Sequence, residues 1–198
     1  MKYPNKFKEL IDDFGSLPGV GPKTAERLAF FCIDIKNQDK TKKLAKCLDE
    51  AVDVIKECKT CGMIADGDLC EICQDDTRDN RLMVLENAKD VIAFEKTKAY
   101  KGRYHVLNGA ISPTNGIGPD DIGIDKLIAR VKNEVFDEII IATSSNIDGE
   151  LTALYLNKKL EECNLKAYRI GYGLPASTNI EYVDEVTLIK SLESKKEM

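Results

Sequence analysis

Cys58-Lys59-Thr60-Cys61, followed after eight residues by Cys70-Glu71-Ile72-Cys73, is the stretch that decides how this chain divides. Each Cys-x-x-Cys turn offers two thiolates to one ion, and a second such turn completes the tetrahedral four-sulfur shell that zinc favours. A closed shell leaves no position for water, so the one Zn2+ expected per chain is structural: it clamps a fold and activates nothing. Two disulfides or two redox-active turns would use the same thiols, but the duplicated spacing favours the metal. Cys32, Cys47 and Cys163 fall inside apolar helical patterns and are expected to be small core residues, which implies a reducing compartment.

Upstream of the cysteines the pattern is helical. Phe7, Leu10, Ile11 and Phe14 recur at helical spacing, and Gly15 ends that helix. Leu17-Pro18-Gly19-Val20-Gly21-Pro22-Lys23 is then a breaker-rich turn, with Pro22 suited to the first position of a second helix through Ala25, Leu28 and Ala29. Leu44, Leu48, Ala51 and Ile55 mark a third helix that delivers the chain to the cysteines. Two short helices around such a turn form a helix-hairpin-helix. Gly19 and Gly21 let amides face outward at a helix N-terminus, where the dipole attracts an anion. Lys23 and Arg27, four residues apart, share a helix face and can reach one nucleic-acid backbone without reading bases. An ordinary helix-helix turn is the plainer alternative. A nucleotide-binding P-loop is not expected, because Pro22 separates Gly21 from Lys23 and no strand precedes the turn.

Downstream, from residue 82, short apolar runs alternate with helical stretches: 82–85, 88–96, 104–107, 124–131, 138–142, 150–160 and 166–170. That rhythm is α/β with a mostly parallel sheet. Residues 108–123 form a long loop rich in Gly and Pro, a feature often functional. Glu86 ends the first of these strands and Asp90 follows one helical turn later; strand ends are where α/β sheets place ligands. Glu86, Asp148 and Glu150 are expected to form an acidic patch, with solvated surface acids as the alternative. His105, the only histidine, is expected to be a hydrogen-bonded structural group, and no catalytic residue is assigned.

Composition bounds these readings. The chain has 198 residues, 43% of them hydrophobic, enough for a sizeable core. Its charged opening, 1–13, is no signal peptide and no run reaches a membrane span, so a cytoplasmic protein without membrane contact is expected. Net charge is −5, but its distribution is uneven. Residues 1–57 carry 11 Lys and Arg against 10 Asp and Glu, whereas residues 58–198 carry 18 against 24. A phosphate-binding surface therefore belongs in the N-terminal part, and the acidic remainder suits metal ions or a basic protein.

The segments 85–90 and 142–150 resemble the Toprim fold of topoisomerases, primases and recombination proteins. Magnesium-dependent members of that fold carry an Asp-x-Asp pair where this chain has Ser144 and Asn146, and neutral side chains do not supply the charge that holds divalent ions at a phosphoryl-transfer site. The hairpin, the four cysteines, the degenerate Toprim segment, the loop 111–121 and the ending Gly173-Leu-Pro-Ala with Glu181-Tyr-Val-Asp-Glu185 together resemble the bacterial RecR family of recombination mediators. The resemblance implies an α/β protein in four parts: a helix-hairpin-helix module for DNA and subunit contact (1–57), a four-cysteine zinc knuckle (58–76), a Toprim domain (77–175) and a Walker B-like subunit-contact segment (176–198). It implies no catalysis of its own, dimers or ring-like tetramers, and a role with RecO and RecF in loading RecA on single strands coated by SSB. It also implies that the acidic Toprim face meets RecO. Ser177 and Thr178 stand where the family usually has Gly-Gly, which alters that loop, and a magnesium-dependent nuclease or primase-like enzyme is the competing class.

Overall fold

A computed structural model of the chain describes residues 3–171, 173–174 and 178–195. It separates into two compact units, Met1–Ile55 and Lys56–Met198. The first unit holds helices α1 (Asn5–Gly15), α2 (Pro22–Ile33) and α3 (Gln38–Val54), with a single 3-10 turn, Ile35–Asn37, ahead of α3. α1 and α2 pack through small residues and rings: Ala25 and Ala29 are fully buried, Phe7 is buried, and the Phe7 and Phe30 rings lie 4.7 Å apart. α3 differs, because none of its residues is buried. That corrects the expectation for the lone cysteines: Cys47 is exposed, and Cys32 and Cys163 are only half-buried. The apolar stripe of α3 identifies a helix face, but Leu44, Leu48 and Val52 along it stay exposed.

The second unit begins with a two-stranded antiparallel ribbon, β1 (Lys56–Glu57) and β2 (Ile64–Ala65), and the short helix α4 (Glu71–Gln74). Four parallel strands follow: β3 (Arg81–Leu85), β4 (Arg103–Val106), β5 (Glu138–Ile141) and β6 (Ala167–Arg169). Their order is β4-β3-β5-β6, so the sheet is α/β and parallel as the apolar rhythm requires. Helices α5 (Ala88–Thr97), α6 (Ile124–Asn133) and α7 (Ile147–Glu162) connect the strands, and α8 (Glu185–Glu193) closes the described chain.

Alternation along β3 assigns its residues to two cores. Leu82 and Val84 join Leu127, Val131, Leu156 and Leu160 on the α6 and α7 face. Met83 and Leu85 join Val91 of α5 and Tyr104 on the other, where Met63 and Ile72 of the cysteine segment also pack. Truncating a fully buried leucine such as Leu127 removes about 2–5 kcal/mol. The Gly-rich loop is ordered by its own chain: Ser112 and Ile117 form a bridge, and the Ile111 N–H donates to Thr152 Oγ1 at 2.9 Å. Ser177 lies outside the described residues, while Thr178 is exposed.

Candidate functional site

The four predicted ligands converge. The sulfurs of Cys58, Cys61, Cys70 and Cys73 all lie within 4.8 Å of one another, and Cys61 and Cys70 approach to 3.5 Å. A tetrahedron with Zn–S bonds of about 2.3 Å has sulfur-sulfur edges of roughly 3.8 Å, so one ion fits this shell and no open position remains. Local hydrogen bonds pre-shape it. Gly62 N–H donates to Cys58 O and Cys58 N–H to Met63 O, closing the first turn, while Cys70 caps α4 and receives Cys73 N–H. Gly62 needs glycine twice over: its φ is 74°, and a Cβ there would collide with Val106 O. Hydrogen bonding from Cys61 lowers the pKa of the Cys70 thiol while hydrogen bonding to Cys70 raises that of Cys61, because the sulfurs of one closed shell share their protons. These four cysteines and one structural zinc account for the segment.

The knuckle is fastened to the sheet by contacts that spacing did not disclose. Cys61 O accepts from Val106 N–H at 2.7 Å, and Asn108, at φ 58°, donates its side-chain amide to Gly62 O. The clamp therefore braces the end of β4 and the start of the Gly-rich loop.

At the hairpin, Gly19 takes φ 81° to reverse the chain, and Gly21 O accepts from Thr24 and Ala25 N–H to start α2 behind Pro22. No acid stands in the first turn of α2, and Lys23 and Arg27 are both exposed. Among the described residues no carboxylate lies within ion-pair reach of either. A lysine in the first turn opposes the helix dipole by about 0.3–1 kcal/mol, and a bound anion would relieve that conflict.

The strand-end acids behave differently. Parallel sheets place ligands at the carboxyl ends of strands where the order reverses, which in this sheet lies between β3 and β5. Glu86 and Ser144 occupy that point. Glu86 is only 7% exposed, and its carboxylate accepts the Ser144 N–H at 2.8 Å and the Ser144 hydroxyl at 2.6 Å. It is thus no surface acid, contrary to its expected place in a patch. Glu150 accepts from Arg169 at 2.9 Å and pairs with Lys190 at 3.4 Å. Arg169 also donates to Ser144 O and Ile141 O, laying a guanidinium across the strand end. Asp90 is committed to capping α5, its carboxylate taking the Asn87 N–H. Asp148 is half-buried in the first turn of α7. A site built for divalent ions needs converging free carboxylates. Glu86, Asp90 and Glu150 do not fit that demand, because hydrogen-bond donors and two cations already hold them, which leaves only Asp148 of the four.

Sequence reading missed Ser144 as the partner of Glu86, and Arg169 and Lys190 as counter-charges. The apolar rhythm placed β6 but not its position beside β5, which is what brings Arg169 to Ser144. His105 is 1% exposed, its Nε2 is 3.3 Å from Gly123 O, and its Nδ1 has no hydrogen-bond partner among the described residues. Burial, with Arg130 nearby, lowers its pKa to about 4, so it is neutral and structural near pH 7.

Comparison with known families agrees with this layout. Residues 7–52 match the family model described as RecR, helix-hairpin-helix; residues 55–75 match the RecR zinc finger domain with four cysteine ligands; residues 80–171 match Toprim domain; and residues 173–196 match RecR, C-terminal. Among the described residues no helix is long and apolar enough to cross a membrane.

Proposed function

The chain belongs to the RecR family, whose domains carry a DNA-binding role in recombinational repair, and from that premise we propose that it is a recombination mediator without catalysis of its own. It acts with RecO, and with RecF, to promote RecA loading on single-stranded DNA coated by SSB. The observation that carries this reading is the hairpin: Gly19 and Gly21 open a helix whose first turn bears Lys23 and no acid, with Arg27 exposed one turn on, an arrangement suited to backbone phosphate. Absence of catalysis is supported by the strand end, where Ser144 and Asn146 replace paired aspartates and Glu86 is held by Ser144.

Asp148, with Glu150 beside it, is the acidic contact offered to a basic RecO surface; Glu86 supports it from below by fixing Ser144. Self-association draws on exposed apolar faces: Leu44, Leu48 and Val52 on α3, and Val186, Ile189 and Leu192 on α8. Faces of that kind call for a partner surface, and a dimer or ring-like tetramer supplies one.

The test is a pair of measurements on one preparation: fluorescence anisotropy of labelled DNA at several salt concentrations, and incubation of plasmid DNA with magnesium or manganese. Salt-dependent binding without cleavage is expected. Metal-dependent nicking, abolished by Glu86→Gln, would replace the mediator with an enzyme.

A further inference from the structure

The second unit is acidic as a whole, yet one stretch reverses the sign. Residues 89–103 contain Lys89, Lys96, Lys98, Lys101 and Arg103 against only Asp90 and Glu95. These residues run from α5 through the turn into β4, and Lys89, Lys96, Lys98 and Lys101 are all exposed. The carboxylates around them are already engaged. Glu95 is taken by Arg78 at 2.6 Å and Tyr104 at 2.7 Å, Asp90 by the Asn87 amide, and Asp79, bonded through its N–H to Lys101 O, by Arg81 at 2.7 Å. Arg78 and Arg81 neutralise Glu95 and Asp79, and with Asp90 the one charge left to offset, the lysines supply the net charge of the corner. No carboxylate of the described residues comes within ion-pair distance of Lys96, Lys98 or Lys101.

We infer that this α5–β4 corner is a second contact for phosphodiester backbone, separate from the hairpin; the inference rests on the DNA-binding reading above. Lys89 and Lys96 lie seven residues apart, two turns of one helix face and about 10 Å along it, and Lys98 and Lys101 continue the row past the helix end. The negative end of α5 explains Lys96 in its last turn and Lys98 at its C-cap, but the dipole falls off within a turn and leaves Lys101 without that reason. Lysines of this kind are mobile point charges, suited to a continuous polyanion more than to a fixed carboxylate. The corner also lacks the aromatic or arginine anchors that protein interfaces centre on: Tyr100 is buried, Arg81 is tied to Asp79, and Ala99 and Thr97 fill the rest of the turn.

The experiment compares four forms of the full chain by anisotropy with a fluorescein-labelled oligo(dT), across a salt series: wild type, Lys23→Ala with Arg27→Ala, a corner variant (Lys96→Gln, Lys98→Asn, Lys101→Gln), and a control of equal charge change (Lys132→Gln, Lys158→Gln, Lys166→Gln). Asn at position 98 keeps the left-handed backbone there, φ 57°. The corner variant should weaken binding roughly 10- to 100-fold at 0.1 M salt and lower the slope of log K against log salt by about 2, with the control near wild type. An unchanged slope in the corner variant, while the hairpin variant loses affinity, overturns the corner and leaves the DNA reading standing. Equal loss in the control overturns it too, since net charge would then suffice. A corner variant that keeps DNA but no longer co-precipitates RecO overturns it as well, and assigns the surface to an acidic protein segment. If wild type does not bind DNA, both readings fall.

Discussion

The N-termini of α7 and α2 use charge in opposite ways. α7 opens with Asp148 and Glu150, acids that complement its dipole; Glu150 is paired with Arg169 and Lys190, and Glu86 beside it is buried against Ser144. α2 opens with Lys23, which opposes its dipole, and neither Lys23 nor Arg27 has an acid within reach among the described residues. Charge that fits its surroundings holds the fold. Charge that conflicts with them, and stays exposed, is available to a ligand.

Substitutions on the two sides should therefore divide into those that move stability and those that move binding. The largest loss belongs to the clamp. A structural zinc contributes an apparent ~10–16 kcal/mol, so Cys70→Ser, which removes one of the four ligands, should abolish zinc in elemental analysis. Hydrogen exchange at the Val106 amide, bonded to Cys61 O, should rise with it. Full zinc content with wild-type protection at Val106 would show that the clamp does not brace β4.

Next comes His105. Its pKa is about 4 in the folded chain against 6.5 ordinarily, so between those values the unfolded chain takes up a proton that the folded chain does not. Stability is full above pH 6.5 and falls as pH drops toward 4, by about 3 kcal/mol from this residue. Urea melts of wild type and His105→Gln at pH 7.5 and 5 should show the smaller pH dependence in the variant. Parallel losses would mean that His105 keeps its ordinary pKa.

Removing a committed acid costs less. Glu86→Ala strands the Ser144 N–H and hydroxyl, and should destabilise by about 1–3 kcal/mol in chemical denaturation. A variant as stable as wild type would make Glu86 a surface acid after all, and would return the strand end to the class of candidate metal sites.

Glu150→Lys should change stability by about 1 kcal/mol or less, since its ion pairs are partly exposed. It should nevertheless weaken a RecO pull-down. Retained RecO at raised salt would move the docking face away from α7. The smallest stability effect belongs to Lys23→Ala with Arg27→Ala, whose thermal melt should match wild type. Its DNA affinity should fall for every sequence alike, with the salt slope reduced by ~0.7–0.9 for each phosphate no longer neutralised. A large drop in melting temperature would place these residues on the structural side of the comparison.

Local signals were legible wherever a function depends on neighbours in the chain. The spacing of Cys58, Cys61, Cys70 and Cys73 sufficed because each turn builds half of a shell, and the glycines and Pro22 sufficed because they set backbone angles within one hairpin. Alternation and helical spacing located the strands and helices, since burial on one face repeats with the period of the backbone. The fate of Cys47 and Glu86 was not legible. A helical stripe does not say whether another element covers it, and a strand-end carboxylate does not say which residue faces it.

The chain's order of residues by itself determined the four-cysteine clamp, the glycine hairpin that opens α2, the α/β rhythm and the absence of paired aspartates at positions 144 and 146. Only the tertiary structure decided that the clamp is fastened to β4 through Cys61 and Val106, that Ser144 buries Glu86, and that Arg169 and Lys190 balance Glu150. Those pairings join residues that parallel strand order brings together from 19 to 58 positions apart, over which local periodicity carries no information.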